Sequence, residues 1–249
     1  MSQYELFKRE CEQEILEFGN DQSLKNASQD WMNKANAKKY SYHFEWMGRP
    51  IIQYPQDIMA MQELIWQVQP DLIIETGIAH GGSLIFFASM LELNAACGGS
   101  QDAEVLGIDI DIRAHNREAI EAHPMFRRIS MIRGSSIAPE IIAQVKAKAA
   151  NKKRILISLD SNHTHDHVFA ELQAYAPLTS VGSYCVVFDT VIEDMPAEMF
   201  PDRPWGPGDN PKTALRSYLK DHPEFEIDHQ INHKLLISVA PDGYLKRVK

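Results

Sequence analysis

The spacing of apolar residues divides the chain into two stretches with different rhythms. Up to residue 70 the pattern is mostly helical. Phe7, Cys11 and Ile15 recur at helical spacing and predict a helix over Tyr4–Phe18. The polar stretch Gly19 to Lys39, with Trp31 inside it, reads as a loop or a short helix. Tyr40, Tyr42, Phe44 and Trp46 alternate as in a short strand, before Gly48-Arg49-Pro50. Asp57 then opens a helix over Ile58–Gln69, with Ile58, Met61, Ile65 and Val68 on one face, and Pro70 closes it.

From Asp71 onward, short continuous apolar runs alternate with helical patterns. Strands are predicted at Leu72–Ile74, Val105–Ile108, Ile129–Ile132, Ile155–Leu159 and Tyr184–Phe188, and a closing pair at Phe225–Ile231 and Leu235–Val239. Helices are predicted at Leu84–Leu93, Pro139–Ala150, Val168–Tyr175 and Thr213–Leu219. Strands apolar on both faces and alternating with helices imply an α/β fold with a mostly parallel, seven-stranded sheet covered on both faces. Residues 71–249 form the expected core domain, and residues 1–70 an N-terminal helical cap on its substrate side.

Composition narrows the functional classes. The 249 residues are 44% hydrophobic and 24% charged, which fits a globular chain and excludes disorder or a disulfide scaffold. The formal charge of −9 and the lack of a basic stripe argue against nucleic acid as a partner. Cys11, Cys97 and Cys185 form no paired motif and read as small buried hydrophobes in a reducing compartment. The N-terminus lacks the apolar run of a signal peptide, and no stretch reaches the ~20 residues that cross a bilayer. The expectation is a soluble, cytoplasmic homo-oligomer acting on a small molecule or glycan.

The acids that end the strands carry the chemistry. The first strand runs into Glu75-Thr76-Gly77-Ile78-Ala79-His80-Gly81-Gly82-Ser83, and a helix follows. Glycines there permit positive φ and close approach of a ligand to the backbone, and the helix start offers free N–H groups. The spacing is neither the dinucleotide fingerprint nor a phosphate loop. An acid followed by G-x-x-x-G-G looks like the S-adenosylmethionine loop of class I methyltransferases. Asp109, at the end of the second strand, is placed to accept hydrogen bonds from two ribose hydroxyls, and is favoured over Asp111. Ser135 and Ser136 follow the third strand, where they either meet an adenine edge or cap the next helix.

Asp160 and Asp189 end the fourth and fifth strands, so both face the crevice where ligands bind in open α/β sheets. Two carboxylates with amide or water oxygens suit Mg²⁺. The run Asp160-Ser161-Asn162-His163-Thr164-His165-Asp166-His167 also invites a rival reading as an Fe(II) hydroxylase with two histidines and one carboxylate. His163 is the histidine expected at the reaction centre as a general base. His165 and His167 are expected at the helix start or surface.

Several segments closely resemble the cephalosporin hydroxylase / rhamnosyl O-methyltransferase family. They are Trp46–Asp57, Ile74–Ser83, Leu159–Thr164, Ala174–Leu178, Gly206–Pro211 and Ala240–Leu245, and the likeness runs from about Phe44 to Lys249. The resemblance implies a Rossmann-like class I methyltransferase that moves a methyl group from S-adenosylmethionine to a hydroxyl of a sugar or natural product, often with Mg²⁺. It implies a cofactor held by the loop of Glu75, Gly77, His80, Gly81, Gly82 and Ser83 and by Asp109, to which the reading of the residues adds Ser135, Ser136 and Asp160, with a reaction centre at Asp160, His163 and Asp189. Phe188 and Asn162 stand where the family usually has acids. Asp160, Asn162 and Asp189 are left to hold a metal, which predicts a weaker Mg²⁺ site or none. A non-catalytic S-adenosylmethionine-binding protein is the alternative from another class.

Overall fold

The computed structural model describes residues 1–249. A seven-stranded sheet occupies its centre. In chain order, after a small hairpin of β1 (Phe44–Trp46) and β2 (Arg49–Ile51), the sheet strands are β3 (Leu72–Thr76), β4 (Glu104–Asp109), β5 (Ile129–Arg133), β6 (Ile155–Leu159), β7 (Tyr184–Val187), β8 (Phe225–Ile227) and β9 (Tyr244–Arg247). Their spatial order is β5-β4-β3-β6-β7-β9-β8. The first five are parallel, and β9 runs antiparallel to both β7 and β8. The chain leaves β3 in one direction for β4 and β5 and returns for β6 and β7. The sheet's switch point therefore lies between β3 and β6, beyond Thr76 and Leu159.

The helices are α1 (Gln3–Asn20), α2 (Gln22–Asn36), α3 (Pro55–Val68), α4 (Gly82–Ala96), α5 (Ala114–Glu121), α6 (Pro139–Ala149), α7 (His165–Tyr175), α8 (Pro211–Tyr218) and α9 (His229–Leu235). Alternate strand residues feed two apolar layers. Ile73 and Val105 face the layer with α3 and α4, while Leu72, Ile74, Leu106 and Ile108 face the layer with α6, α7 and α8. The first layer takes in Met32, Tyr54, Met61 and Ile65 together with Phe86 and Tyr184, so residues from both sides of position 70 share one core.

Three expectations are corrected. The closing pair is not Phe225–Ile231 with Leu235–Val239. Asp228 accepts a hydrogen bond from Gln230 N–H and starts α9, and the last strand comes later, at Tyr244–Arg247. Gly19–Lys39 is mostly helix: Asp21 caps α2 at Leu24 N–H, and polar pairs one turn apart (Gln22–Asn26, Gln29–Asn33, Lys34–Asp30) support a helix with little apolar face. Cys97 lies exposed at the end of α4 and Cys11 is half-buried, so only Cys185 is a buried core thiol. The helix α5, which the apolar pattern did not mark, buries only Asn116 and Ile120.

Candidate functional site

The loop from β3 to α4 forms the floor of the crevice. Gly77 has φ +89°, and a Cβ there would overlap the carbonyl oxygen of Asp160. A Cβ on Gly82 would overlap the carbonyl of Pro50. These glycines let β6 and β2 close over the loop, which no side chain would permit. The loop is pinned from outside. Arg49 donates to the His80 carbonyl at 3.0 and 2.5 Å and to Asn116 Oδ1 at 3.1 Å, and Asn116 Nδ2 donates to the Ala79 carbonyl at 2.9 Å. Asp109 pins it from inside: Oδ2 accepts Ile78 N–H at 2.8 Å and Ala79 N–H at 3.3 Å.

Two cavities meet at this loop. The larger, about 440 Å³, is lined by Gly77, Asp109, Ser135, Ser136, Asp160 and Asn162, with Ile110, His167 and Trp205 completing its walls. The smaller, about 240 Å³, is lined by Gly77, His80, Gly82, Ser83, Asp160, His163 and Asp189, with Tyr42 and Gln53 from the N-terminal segment. Asp111 lines neither; it is exposed beside Arg113 and Arg133. Glu75 lines neither; it borders a void of about 10 Å³ with Asp57 and with Gln53 and Ser83, which also line the smaller cavity.

Asp160, His163 and Asp189 come together where the cavities join, with one ligand atom from each within 4.8 Å of the others. His163 Nε2 lies 3.1 Å from Asp189 Oδ2, and Gln53 Nε2 donates to Asp160 Oδ2 at 3.1 Å. Asp189 has φ +57°, a conformation that turns it out of β7 into the crevice. Phe188, its neighbour, is buried in the core. Asn162 does not join this group: its Oδ1 accepts from Thr164 N–H and Oγ1, both at 2.9 Å, in the turn that precedes α7. Burial and the adjacent Asp189 carboxylate push Asp160 well above the ordinary carboxylate range.

Buried acids surround this group. Burial pushes Glu75 up to about 8, against the pull of a Ser83 hydrogen bond, and its Oε2 has no partner. Gln53 Oε1, in the same void, is also unpartnered. Asp57 is fully buried, and its carboxylate accepts from Ser238 Oγ at 2.6 Å, Val239 N–H at 2.9 Å and Tyr244 OH at 2.7 Å. Burial still pushes it to about 6. Asp57 thus anchors the loop whose Val239 lines the smaller cavity.

The three histidines of the fourth-strand run diverge. His165 Nδ1 pairs with Thr213 Oγ1 at 2.8 Å, and His167 Nε2 turns toward Ser136, Ser161 and Glu171. Only His163 reaches the carboxylates, so the run does not supply two histidines to one ion. Most of the aromatic patch is packing: Tyr40, Tyr54, Phe44 and Trp31 meet edge to edge, and Trp46 donates to Ser89. Glu193 and Asp194 are staples, accepting from Gly208 N–H and from the buried Lys212. Sequence reasoning missed Asn116, the anchoring role of Asp57 and the cavity position of His167. Asp57 reads as an ordinary first-turn acid of α3, so nothing local marks its burial.

The Rhamnosyl O-methyltransferase/CmcI family matches residues 38–248. The Rhamnosyl O-methyltransferase of Mycobacterium bovis (strain BCG / Pasteur 1173P2) is 31% identical over 207 residues, 81% of this chain and 77% of that protein. That of Mycobacterium leprae is 30% identical over 204 residues, 81% of this chain and 82% of that one. Among solved structures, a CmcI apo-structure superposes with a TM-score of 0.56 at 19% identity, covering 84% of this chain and 77% of that one. A CmcI structure with Mg and SAM gives 0.53 at 18%, covering 84% and 78%. The O-methyltransferase from Bacillus cereus in complex with SAH gives 0.51 at 15%, covering 80% and 81%. These superpositions agree with the mostly parallel sheet and its covering helices. With the family matched over residues 38–248 and relatives at 30% identity or more across four-fifths of its length, the chain belongs to the Rhamnosyl O-methyltransferase/CmcI family.

Proposed function

We propose that the chain is an S-adenosylmethionine-dependent O-methyltransferase acting on a hydroxyl of a sugar or natural-product acceptor. The observation that carries this reading is the adjacency of two cavities, one walled by Asp109, Ser135 and Ser136, the other by the carboxylate–histidine group, with Gly77 and Asp160 common to both. A nucleoside in the first would present the rest of the cofactor to the second.

The residues present fit the cofactor. Asp109 Oδ1 accepts only Asp111 N–H at 2.9 Å and so retains a lone pair toward a ribose hydroxyl. Glu75 Oε2 and Gln53 Oε1 are buried acceptors without partners, which an ammonium group would satisfy. When bound, S-adenosylmethionine supplies an electrophilic methyl on a sulfonium. The chain's part is to orient the acceptor hydroxyl, a contribution that reaches several kcal/mol, roughly 7–11 in the best-aligned intramolecular cases. His163, whose Nε2–H donates to Asp189, has Nδ1 left as the ring nitrogen to take the hydroxyl proton.

The group Asp160, His163 and Asp189 also fits a divalent cation: two carboxylates and one imidazole fall within the span of one coordination sphere. An ion held there would acidify the acceptor hydroxyl. With Asn162 engaged at Thr164 and Phe188 in the core, the donor set is smaller than the sequence resemblance led one to expect, and binding would be correspondingly weak. Residues 1–70 serve as the acceptor-side cap, through Tyr42 and Gln53, and residues 71–249 as the methyl-transfer domain.

The test is transfer of label from methyl-labelled S-adenosylmethionine to a panel of hydroxylated glycans and natural products, with and without Mg²⁺. Labelled product from the wild-type chain and at least a 100-fold slower rate from Asp189→Ala is expected. Equal rates from the two proteins would remove Asp189 from the reaction centre.

A further inference from the structure

The start of α7 closes the far wall of the larger cavity, and a buried polar relay backs it. Glu171 is fully buried on α7, where its Oε1 accepts Ser161 Oγ at 2.7 Å and lies 3.4 Å from His167 Nε2. His167 Nε2 is also 3.1 Å from Ser136 Oγ and 3.3 Å from Ser161 Oγ. The other Glu171 oxygen has no partner, and no lysine or arginine pairs with this acid. Ser161 Oγ spends its one proton on Glu171, so toward His167 Nε2 it can only accept, and Nε2 must be the donor. The proton therefore sits on Nε2. His167 Nδ1 is left as an acceptor with no partner inside the protein, on a side chain that lines the cavity.

We propose that His167 is the residue that selects the base of the cofactor: Nδ1 accepts a hydrogen bond from the exocyclic 6-amino group of adenine, and Glu171 is the positioning residue that keeps Nδ1 in the accepting tautomer. The inference rests on the reading of the larger cavity as the nucleoside site. It predicts discrimination against a 6-oxo purine, whose oxygen would meet the lone pair of Nδ1. A site built to accept from a donor rejects an analogue lacking it by a large factor, since two acceptors are left facing each other.

The probes are S-adenosylhomocysteine and its 6-oxo counterpart S-inosylhomocysteine, titrated calorimetrically against the full chain. Wild type should bind the adenosyl compound at least 10-fold more tightly. In Glu171→Gln the amide can donate to Nε2 and move the imidazole proton to Nδ1, so the ratio should fall to near one or invert while the shape of the side chain is kept. His167→Ala, at the cavity wall, should bring the ratio within about 3-fold of unity. A merely structural role for either residue would weaken both compounds equally and leave the ratio intact, and that result would overturn the proposal. If wild type binds both compounds equally, this inference fails and the nucleoside site stands. If wild type binds neither, both fail.

Discussion

Replacing Glu75 with glutamine tests the inner wall of the site through stability and binding together. The carboxyl is 2% exposed, one of its oxygens is unpartnered, and burial holds its proton until about pH 8. In the unfolded chain the same group ionises near 4.5. Between those values the native protein keeps a proton that the unfolded chain has released. The contribution of Glu75 is thus fully present below the unfolded value and is lost as pH rises through about 8. At about 1.4 kcal/mol per pH unit, the full swing is on the order of 5 kcal/mol. Glutamine has nearly the same shape and does not titrate. Glu75→Gln should match wild type within about 1 kcal/mol near pH 5 and exceed it by several kcal/mol near pH 9, as read from urea midpoints at a common slope. The same substitution removes the charge that would meet the cofactor's ammonium, so S-adenosylmethionine should bind at least 10-fold more weakly, at about 1.5–3 kcal/mol for a charged hydrogen bond. The proton released on cofactor binding, seen as a buffer-dependent heat, should vanish with it. Parallel stability profiles for the two proteins would refute the assignment of a buried, protonated carboxyl.

Asp57→Ala leaves the Ser238, Val239 and Tyr244 donors unpaired in the core and should cost about 3–5 kcal/mol by denaturant titration, with Asp57→Asn recovering part of it. Gly77→Ala forces a Cβ onto the Asp160 carbonyl at a positive φ, so cofactor binding should be lost in a chain whose circular dichroism still reports the sheet and helices. Asp189→Ala should lower turnover at least 100-fold while the dissociation constant for S-adenosylmethionine stays within about 3-fold, because Asp189 lines the smaller cavity only. Lys212→Met removes the buried ammonium at 2.6 and 3.2 Å from the partly exposed carboxylates of Asp194 and Asp242, which water can then solvate, and should destabilise by about 1 kcal/mol in denaturant titration.

Much of this architecture was legible because a parallel sheet writes itself as apolar runs. Each of the five parallel strands appears in the sequence as such a run, and Glu75, Asp109, Asp160 and Asp189 fall at or just beyond their carboxyl ends, where the topology collects them. What escaped was set by contacts between distant segments. Nothing local marks α2, whose stability comes from its Asp21 cap and polar pairs, or α5, which buries two residues. Leu235–Val239 reads as strand, yet its backbone answers to the Asp57 carboxylate some 180 positions away. Asn162 fits a ligand by type alone; only the fold shows its oxygen turned back on Thr164. His167 looked like a surface residue because Glu171, its partner one turn along, lies in a polar cluster that the sequence does not announce.

The central claim, that the glycine loop and Asp109 hold S-adenosylmethionine, is tested most directly by calorimetric titration of that compound into the wild-type chain and into Asp109→Ala. One saturable site per chain in the wild type, and at least 100-fold weaker binding in the variant, is the expected result. No binding by the wild-type chain, or equal binding by the two proteins, would contradict the account.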